Sequence, residues 1–251
     1  MIIGGLQKFS LLDYPGKISA IIFTQGCNFR CGFCYNPMLV WPVSKAGKFK
    51  NNLVENPAVS GASQEGHTLI KEDDLFVFLE KRRNKLDAVV ITGGEPTLWV
   101  DLPQFLDKIK KLGYLIKLDT NGTNPVMIKD LMKKKLIDYI AMDIKAPADK
   151  YNLVTGVKVN FKNIAKSVKI IMQSGLPYEF RTTIAPGLLN KEDISKMGEL
   201  IQGATKWFLQ KFKTDIDIIN NELKSKKALT GKEMKEMAEI GKKYVKQCEI
   251  R

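Results

Sequence analysis

The feature that most constrains the fold of this chain is a regular alternation of short apolar, β-branched segments with amphipathic segments. Such alternation is typical of parallel strands joined by crossover helices. Strands are predicted at 18–24, 88–92, 115–119, 139–143, 179–184 and 206–212. Helices are predicted near 72–83, 102–112, 125–135, 161–174, 191–202 and 230–247. The last helix begins at Thr230, which has the spacing of a capping box with Glu233.

The length of the chain, 251 residues, suits a single α/β barrel domain. We therefore expect an α/β fold over residues 1–251, arranged as a partial (β/α)6 barrel of the TIM type. Only residues 43–68 interrupt the alternation, because this stretch is long, polar and rich in Gly, Asn, Ser and Pro. It is predicted to be an inserted loop, either disordered or acting as a lid or docking loop.

Residues suited to binding a ligand follow or end every predicted strand. In strand order they are Cys27, then Gly93, Gly94 and Glu95, then Asp119, Thr120, Asn121 and Gly122, then Asp143 and Lys145, then Arg181 and Thr183, and finally Gln210 and Lys211. The carboxyl ends of parallel barrel strands share one rim, so these distant positions converge on one mouth. The sequence therefore predicts a binding site there.

Three cysteines, Cys27, Cys31 and Cys34, form a CxxxCxxC cluster that offers three ligands to one metal centre. An iron–sulfur cluster held by four cysteines is a closed electron carrier, whereas three cysteines leave one iron open to another ligand. Structural zinc normally recruits two pairs of ligands. Outside this cluster the sequence has one further cysteine, Cys248, and one histidine, His67. The missing fourth ligand favours a reactive iron–sulfur cluster over structural zinc or ordinary buried thiols. Cys248 is expected to be a stray thiol in the last helix.

The polar groups at the other strand ends allow more than one interpretation. Gly93 and Gly94 would let a ligand approach the backbone, and Glu95 could accept a hydrogen bond from an ammonium group, although Gly-Gly-Glu-Pro is also a common turn. The segment 119–122 (Asp-Thr-Asn-Gly) suits ribose hydroxyls, a hard cation or an Asx turn.

Two further groups on the fourth and fifth strands also have a structural alternative. Asp143 and Lys145 alternate with apolar residues, so they form either a structural ion pair or a clamp for a ligand. Arg181 could bind a carboxylate through its forked donors or pair within the fold. With His67 as the single histidine, the chain offers no Ser-His or Cys-His pair, which argues against hydrolytic catalysis.

The net charge of +13 suggests a nucleic acid, a membrane surface or an acidic protein as a partner. Much of the surplus positive charge lies in amphipathic helical segments, where lysines normally form a solvated face. The sequence has no pattern of interleaved basic and aromatic residues of the kind that would predict an RNA-binding surface. We expect no nucleic acid and no membrane partner, and the alternative to a solvated face is docking on an acidic partner protein. A soluble, cytoplasmic protein is predicted from the absence of long apolar runs and of a signal peptide, and from cysteines grouped in one tight cluster.

The cysteine loop, the Gly-Gly-Glu-Pro segment at 93–96 and the partial barrel together resemble the radical S-adenosylmethionine enzymes. In that family the open iron is chelated by the amino and carboxylate groups of S-adenosylmethionine. An electron from the cluster cleaves the cofactor's carbon–sulfur bond and yields a 5'-deoxyadenosyl radical. The resemblance covers essentially the whole chain and implies a single radical SAM domain that binds one 4Fe-4S cluster and S-adenosylmethionine.

A narrower resemblance concerns the glycyl-radical enzyme activases. Their opening is similar to segments 10–16 (SLLDYPG), 23–27 (FTQGC) and 34–37 (CYNP). Activators of anaerobic ribonucleoside-triphosphate reductase are similar at 119–122 (DTNG), 141–147 (AMDIKAP), 180–183 (FRTT) and 207–210 (WFLQ). The resemblance implies a glycyl-radical enzyme as protein substrate and a flavodoxin or ferredoxin-type electron donor.

The resemblance also implies roles for individual residues. Cys27, Cys31 and Cys34 would bind the cluster. Phe33 and Asn36 would lie near the adenine, Glu95 near the methionine amine and Lys145 near the carboxylate, within a cofactor-binding set that also includes Gly93, Gly94, Asp119, Asn121, Arg181 and Gln210. A monovalent cation would be held by Asp119, Thr120 and Asp143.

Two positions depart from the family pattern, because Tyr35 and Phe212 stand where many activases have histidine. The chain also lacks cysteines for an auxiliary cluster, unlike activases with a ferredoxin-like insertion. Two other functions remain open. One is a radical SAM enzyme acting on a small molecule, as in 7-deazaguanine-type biosynthesis, and the other is a basic metal-binding protein that binds nucleic acid.

Overall fold

The computed structural model describes residues 1–41 and 69–251. The insertion expected at 43–68 lies outside the described residues. One eight-stranded sheet, with its strands in chain order, forms the centre of the fold. Its strands are β1 Ile3–Ser10, β2 Ser19–Thr24, β3 Ala88–Gly93, β4 Leu115–Thr120, β5 Tyr139–Asp143, β6 Tyr178–Ile184, β7 Lys206–Lys211 and β8 Gln247–Ile250.

The six predicted strands are confirmed as β2 to β7, and all of them pair in parallel. The two edge strands were not predicted: β1 pairs antiparallel with β2, and β8 pairs parallel with β7. Since β1 and β8 are the edges of the sheet in the described part of the chain, the barrel is open there. The predicted partial α/β barrel is therefore confirmed, with one extra strand at each edge.

Nine α-helices accompany the described strands. They are α1 Pro37–Val40, α2 Glu72–Lys81, α3 Leu102–Lys111, α4 Pro125–Lys133, α5 Tyr151–Thr155, α6 Phe161–Met172, α7 Lys191–Leu200, α8 Glu222–Ser225 and α9 Gly231–Gly241. The six predicted helices correspond to α2, α3, α4, α6, α7 and α9, whereas the short helices α1, α5 and α8 were missed. Across the described ranges, no helix has the length and apolar character needed to span a bilayer.

The last helix is shorter than predicted. The capping box of Thr230 and Glu233 is present, but α9 ends at Gly241 and the chain then enters β8. Cys248 therefore lies on a strand, so its expected place in a terminal helix is wrong. A Cβ atom added to Gly241 would lie 2.5 Å from the Cys248 sulfur, so this thiol is closely packed against the end of α9.

The two faces of the sheet carry different side chains because successive strand residues point to opposite sides. The outer face is apolar and packs against the helices, with Ile22, Ile91 and Leu118 fully buried. The inner face combines a small apolar cluster with buried charged side chains, of which Lys117 and Glu179 are 2% and 1% exposed. Charged residues inside a barrel need partners of opposite charge or hydrogen-bonding partners.

Candidate functional site

A cavity of about 380 Å³ opens at the carboxyl ends of the parallel strands. It falls in the size range of small-molecule and cofactor sites. All the predicted ligand and cofactor positions line it, namely Cys27, Cys31, Phe33, Cys34, Asn36, Gly93, Gly94, Glu95, Asp119, Thr120, Asn121, Asp143, Lys145, Arg181 and Gln210. Of the other strand-end residues predicted for this site, Thr183 also lines the cavity, whereas Gly122 and Lys211 do not. The structure therefore brings most of the predicted set together, as expected for strand ends that share one rim.

The cysteine loop is anchored at its start by the short helix α1. The backbone N–H groups of Gly26 and Cys27 donate to the carbonyls of Leu39 and Val40, at 2.7 and 3.0 Å. These bonds connect the loop after β2 to a helix that follows it directly in the chain. The first cysteine is thus fixed through backbone atoms, independently of its sulfur.

Two more distant segments hold the middle of the same loop. The N–H of Arg30 donates to the carbonyl of Thr155 in α5 at 2.8 Å, and the carbonyl of Gly32 accepts from the N–H of Asn220 at 2.8 Å. The Arg30 guanidinium also donates to the Cys27 carbonyl at 2.7 Å and lies 4.1 Å from the centre of the Trp41 ring. The loop is therefore held along its length by three separate parts of the fold.

The three thiols of the loop line the cavity in a largely buried environment. Burial raises the pKa of Cys27 to about 12 and that of Cys31 to about 11, and it also raises the pKa of Cys34. Without a metal these cysteines are protonated near neutral pH, so metal binding must release protons. Among residues 1–41 and 69–251, no three or more His, Cys, Asp or Glu side chains form a site for a single metal ion. A cluster differs from such an ion because each thiolate can bind a different iron.

Glu95 connects the ends of β3 and β4 beneath the cavity. Its carboxylate accepts hydrogen bonds from the N–H and hydroxyl of Thr97, the hydroxyl of Thr120 at 2.6 Å and the N–H of Asn121 at 2.6 Å. Burial raises the pKa of Glu95, and these four hydrogen bonds oppose that rise. Three of the bonds reach one oxygen and a single bond reaches the other, which keeps acceptor capacity for an ammonium group.

Gly93 and Gly94 are required by the chain's own backbone. A Cβ atom on Gly93, whose φ is +116°, would lie 2.3 Å from the Thr24 nitrogen. A Cβ atom on Gly94 would lie 2.0 Å from the Gly26 carbonyl oxygen. The sequence predicted that these glycines admit a ligand, but here they admit the strand and loop that carry Cys27. Both glycines also line the cavity, and their contact with a cofactor stays a prediction.

A chain of alternating charges crosses the inner face from β4 to the end of β5. Asp119 contacts the Lys117 ammonium at 2.6 Å and an Arg181 Nη atom at 2.9 Å. Asp143 contacts Arg181 Nε at 2.9 Å and the Lys145 ammonium at 2.8 Å. Asp143 and Lys145 thus form an ion pair, one of the two arrangements predicted, and Lys145 still lines the cavity.

The pKa values in this chain of charges follow from burial opposed by pairing. Burial alone would raise the pKa of Asp119, but Arg181 and then Lys117 hold it below its usual value. The pKa of Asp143 is likewise held well below its usual value, because Arg181 and Lys145 outweigh burial. Burial would lower the pKa of Lys145, but Asp143 raises it. Asp119, Asp143 and Lys145 are therefore charged near neutral pH.

The expected monovalent cation does not fit this arrangement. The four carboxylate oxygens of Asp119 and Asp143 each already contact a positively charged side chain. The Thr120 hydroxyl donates to Glu95. A cation bound to these oxygens would lie beside the positively charged Lys117, Arg181 or Lys145 side chain, and like charges repel strongly in a buried site, so the site does not fit an additional metal cation.

Aromatic side chains border the cavity next to the last cysteine. Tyr35 stacks on Phe212 with ring centres 6.2 Å apart, and its hydroxyl accepts a hydrogen bond from the N–H of Lys213 at 2.8 Å. The Lys145 ammonium lies 5.8 Å from the centre of the Phe33 ring. The two positions that depart from the activase pattern are therefore partners in one contact that joins the cysteine loop to the segment after β7.

Sequence reasoning missed several cavity residues. Gln7 and Asp13 come from β1 and the turn after it, and Ile21 and Phe23 lie on the inner face of β2. Gln7 was not identified because β1 was not predicted. Side chains of a strand alternate between its two faces, so the predicted strand was a usable signal that Ile21 and Phe23 share one face.

Comparisons with known proteins agree with this geometry. The model of the "Radical SAM superfamily" matches residues 21–202. A protein of Methanocaldococcus jannaschii, provisionally named a glycyl-radical enzyme activating enzyme, is 33% identical over the whole chain and 95% of its own length. A second protein of that organism, with the same provisional name, is 26% identical and covers 97% of this chain and 84% of its own.

A solved structure supports the fold. The structure of Streptococcus suis SuiB bound to the precursor peptide SuiA matches 91% of this chain and 47% of SuiB, with a TM-score of 0.60 and 17% identity. At that identity the likeness concerns the fold alone. The family match spans most of the chain, including the cysteine loop and the strands β2 to β6 that line the cavity. The chain belongs to the radical SAM superfamily of enzymes, a family that implies a 4Fe-4S cluster and S-adenosylmethionine.

Proposed function

We propose that this enzyme installs a glycyl radical on a partner enzyme, and that the partner is the anaerobic ribonucleoside-triphosphate reductase. The observation that carries the proposal is the 33% identity, over the whole chain, to a protein provisionally named a glycyl-radical enzyme activating enzyme. That match includes the N-terminal segment 10–16, whose Asp13 lines the cavity, and not only the family's common core. The choice of reductase rests on the segments at 119–122, 141–147, 180–183 and 207–210.

The residues present suit the cofactors that the family implies. Cys27, Cys31 and Cys34 would hold the cluster, because their three thiols line one cavity and offer soft ligands for iron. When bound, the cluster and S-adenosylmethionine together supply a 5'-deoxyadenosyl radical. The protein's own task is to hold these groups next to the substrate and away from water.

Charged and polar residues of the cavity suit the methionine end of S-adenosylmethionine. Lys145 has three N–H donors and uses one of them in its hydrogen bond to Asp143, so it can also donate to the carboxylate of S-adenosylmethionine. Glu95 retains an acceptor for the ammonium group. The roles of Phe33 and Asn36 near the adenine rest on the resemblance and on their place in the same cavity.

The open barrel suits a protein loop as substrate. The edges β1 and β8 leave a gap in the described sheet, and the cavity opens at the carboxyl ends of the strands. Abstraction of a hydrogen atom by a radical requires no general base, which agrees with the lack of a catalytic histidine pair in the sequence. We also propose a flavodoxin or ferredoxin-type electron donor and a reducing, cytoplasmic compartment, which suits four free cysteines.

The test is anaerobic mixing of the reconstituted enzyme, S-adenosylmethionine, a reductant and the candidate reductase. We expect a glycyl radical in the electron paramagnetic resonance spectrum and formation of 5'-deoxyadenosine. The Cys31→Ala variant provides the control, because it should abolish both signals. Cofactor cleavage without a glycyl radical would refute the reductase as partner, and turnover of a small molecule without any protein would favour the small-molecule alternative.

A further inference from the structure

Lys117 is a buried lysine that the cofactor roles above do not use. Its side chain is only 2% exposed, and its ammonium contacts Asp119 at 2.6 Å. Both residues lie on β4 with one residue between them, so they share the inner face of the barrel. Since β4 runs toward the mouth of the cavity, Lys117 lies deeper in the barrel than Asp119, at the preceding inward-facing position of the strand.

Lys117 forms one end of the chain of charges that continues through Asp119, Arg181 and Asp143 to Lys145. Three of these groups are positive and two are negative, so the chain carries one net positive charge. This charge lies beside a cavity whose own lining includes Lys145 and Arg181. A single carboxylate entering the cavity would neutralise it.

The net positive charge of these five side chains also disfavours a metal cation at Asp119 and Asp143. A cation placed there would raise the net charge of the group and would meet carboxylate oxygens that already have positively charged partners. Like charges at such short range repel strongly in a buried site. The Lys117 ammonium already provides the compact positive charge that a monovalent cation would bring to Asp119.

We propose that Lys117 replaces the monovalent cation as a positioning residue, so that S-adenosylmethionine binds without any added metal cation. This inference rests on the proposed cofactor site, but not on the identity of the partner enzyme. Removing the ammonium uncovers a carboxylate oxygen of Asp119. If the space is also vacated, a small cation such as K⁺ can fill it. If the space stays filled by an apolar side chain, no cation can.

The test measures the affinity of the cluster-reconstituted enzyme for S-adenosylmethionine by anaerobic calorimetry. Each protein is titrated in KCl and in N-methylglucamine chloride of equal ionic strength, because N-methylglucamine is too large to enter the site. The variants are Lys117→Ala, which vacates the space, and the matched control Lys117→Met, which fills it without a charge. Circular dichroism of each variant checks that it is folded.

The parent protein should bind with the same affinity in both salts. Lys117→Ala should bind roughly tenfold more weakly in N-methylglucamine and recover most of that loss in KCl. Lys117→Met should stay weak in both salts. A purely structural ion pair would instead give losses that do not depend on the cation.

Two results would overturn the inference. One is a parent protein whose affinity changes with the cation, a result that does not depend on whether the variants fold. The other is a folded Lys117→Ala variant that K⁺ does not rescue. Absence of binding by the parent in any salt would overturn the cofactor site and, with it, the role of Lys117. Failure to form a glycyl radical, with binding that is independent of the cation, would refute the proposed partner alone.

Discussion

Replacing Gly94 by alanine tests how the fold positions the first cysteine. The added Cβ would lie 2.0 Å from the Gly26 carbonyl oxygen and 3.0 Å from the Leu39 oxygen. Real Cβ atoms essentially never come within 3.0 Å of such atoms, so one backbone must move by about 1 Å. Gly26 cannot move freely, because its N–H donates to Leu39 and its carbonyl accepts from the N–H of Glu95 at 2.8 Å.

The expected cost of Gly94→Ala combines two effects. Overpacking costs about 1–3 kcal/mol, and loss of the hydrogen bond from Glu95 to Gly26 costs about 1 kcal/mol. The free energy of unfolding should therefore fall by roughly 2–4 kcal/mol. At about 2–4 °C for each kcal/mol in a chain of this size, the melting temperature should fall by roughly 4–16 °C. Because Gly26 directly precedes Cys27, the iron content after reconstitution should fall as well.

The assay is urea unfolding of the metal-free protein under anaerobic conditions, followed by iron and sulfide analysis after reconstitution. Gly231→Ala is the matched control, because a Cβ atom at Gly231 meets nothing within 4 Å and its φ is not in the left-handed region. This control should be neutral or slightly stabilising. An unchanged unfolding midpoint and full iron content for Gly94→Ala would refute the argument that backbone contact requires this glycine.

Cys31→Ala should abolish cleavage of S-adenosylmethionine. Cys248→Ala should retain cleavage, and its free energy of unfolding should fall by roughly 1–2 kcal/mol through lost packing. Loss of cleavage in Cys248→Ala equal to that in Cys31→Ala would contradict the proposed cluster ligands. Tyr35→Phe removes the hydrogen bond to its backbone donor and should cost about 1 kcal/mol in urea unfolding, and no change would show that the bond is unimportant. Paired cations hold the pKa values of Asp119 and Asp143 low against the effect of burial, so the unfolded chain binds protons more readily and stability should fall as the pH drops below about 4. Urea unfolding over a pH series measures this effect, and a flat profile would contradict the pairing.

The central strands were predictable because each is an apolar run next to an amphipathic helix, and this pattern is visible along the chain. The strand β1 was not, since it contains two glycines and three consecutive residues of its second half, Gln7 to Phe9, are exposed. The strand β8 has four residues, of which two are exposed, and it follows directly on a helical pattern. Edge strands bury less surface, so their sequences show less of the periodicity on which such predictions depend.

The contents of the site were predictable, but the partners within it were not. The topology alone placed Asp143, Lys145 and Arg181 at one rim. Their pairing depends on register, since Asp143 lies beside Arg181 across β5 and β6. The role of Gly94 was also hidden, because the sequence does not show that the loop after β2 passes against it. The role of Lys117 was not visible in the sequence either, because it depends on the contact of its ammonium with Asp119.

The backbone anchoring of the cysteine loop has a consequence for the life of the protein in the presence of oxygen. Hydrogen bonds to α1, to α5 and to Asn220 hold the loop without using any sulfur atom. Loss of an iron–sulfur cluster would therefore not remove the hydrogen bonds that shape the cysteine loop. We expect a molecule damaged by oxygen to be repaired in place, by reduction of its oxidised cysteines to thiols and resupply of iron and sulfide, without passing through the unfolded state.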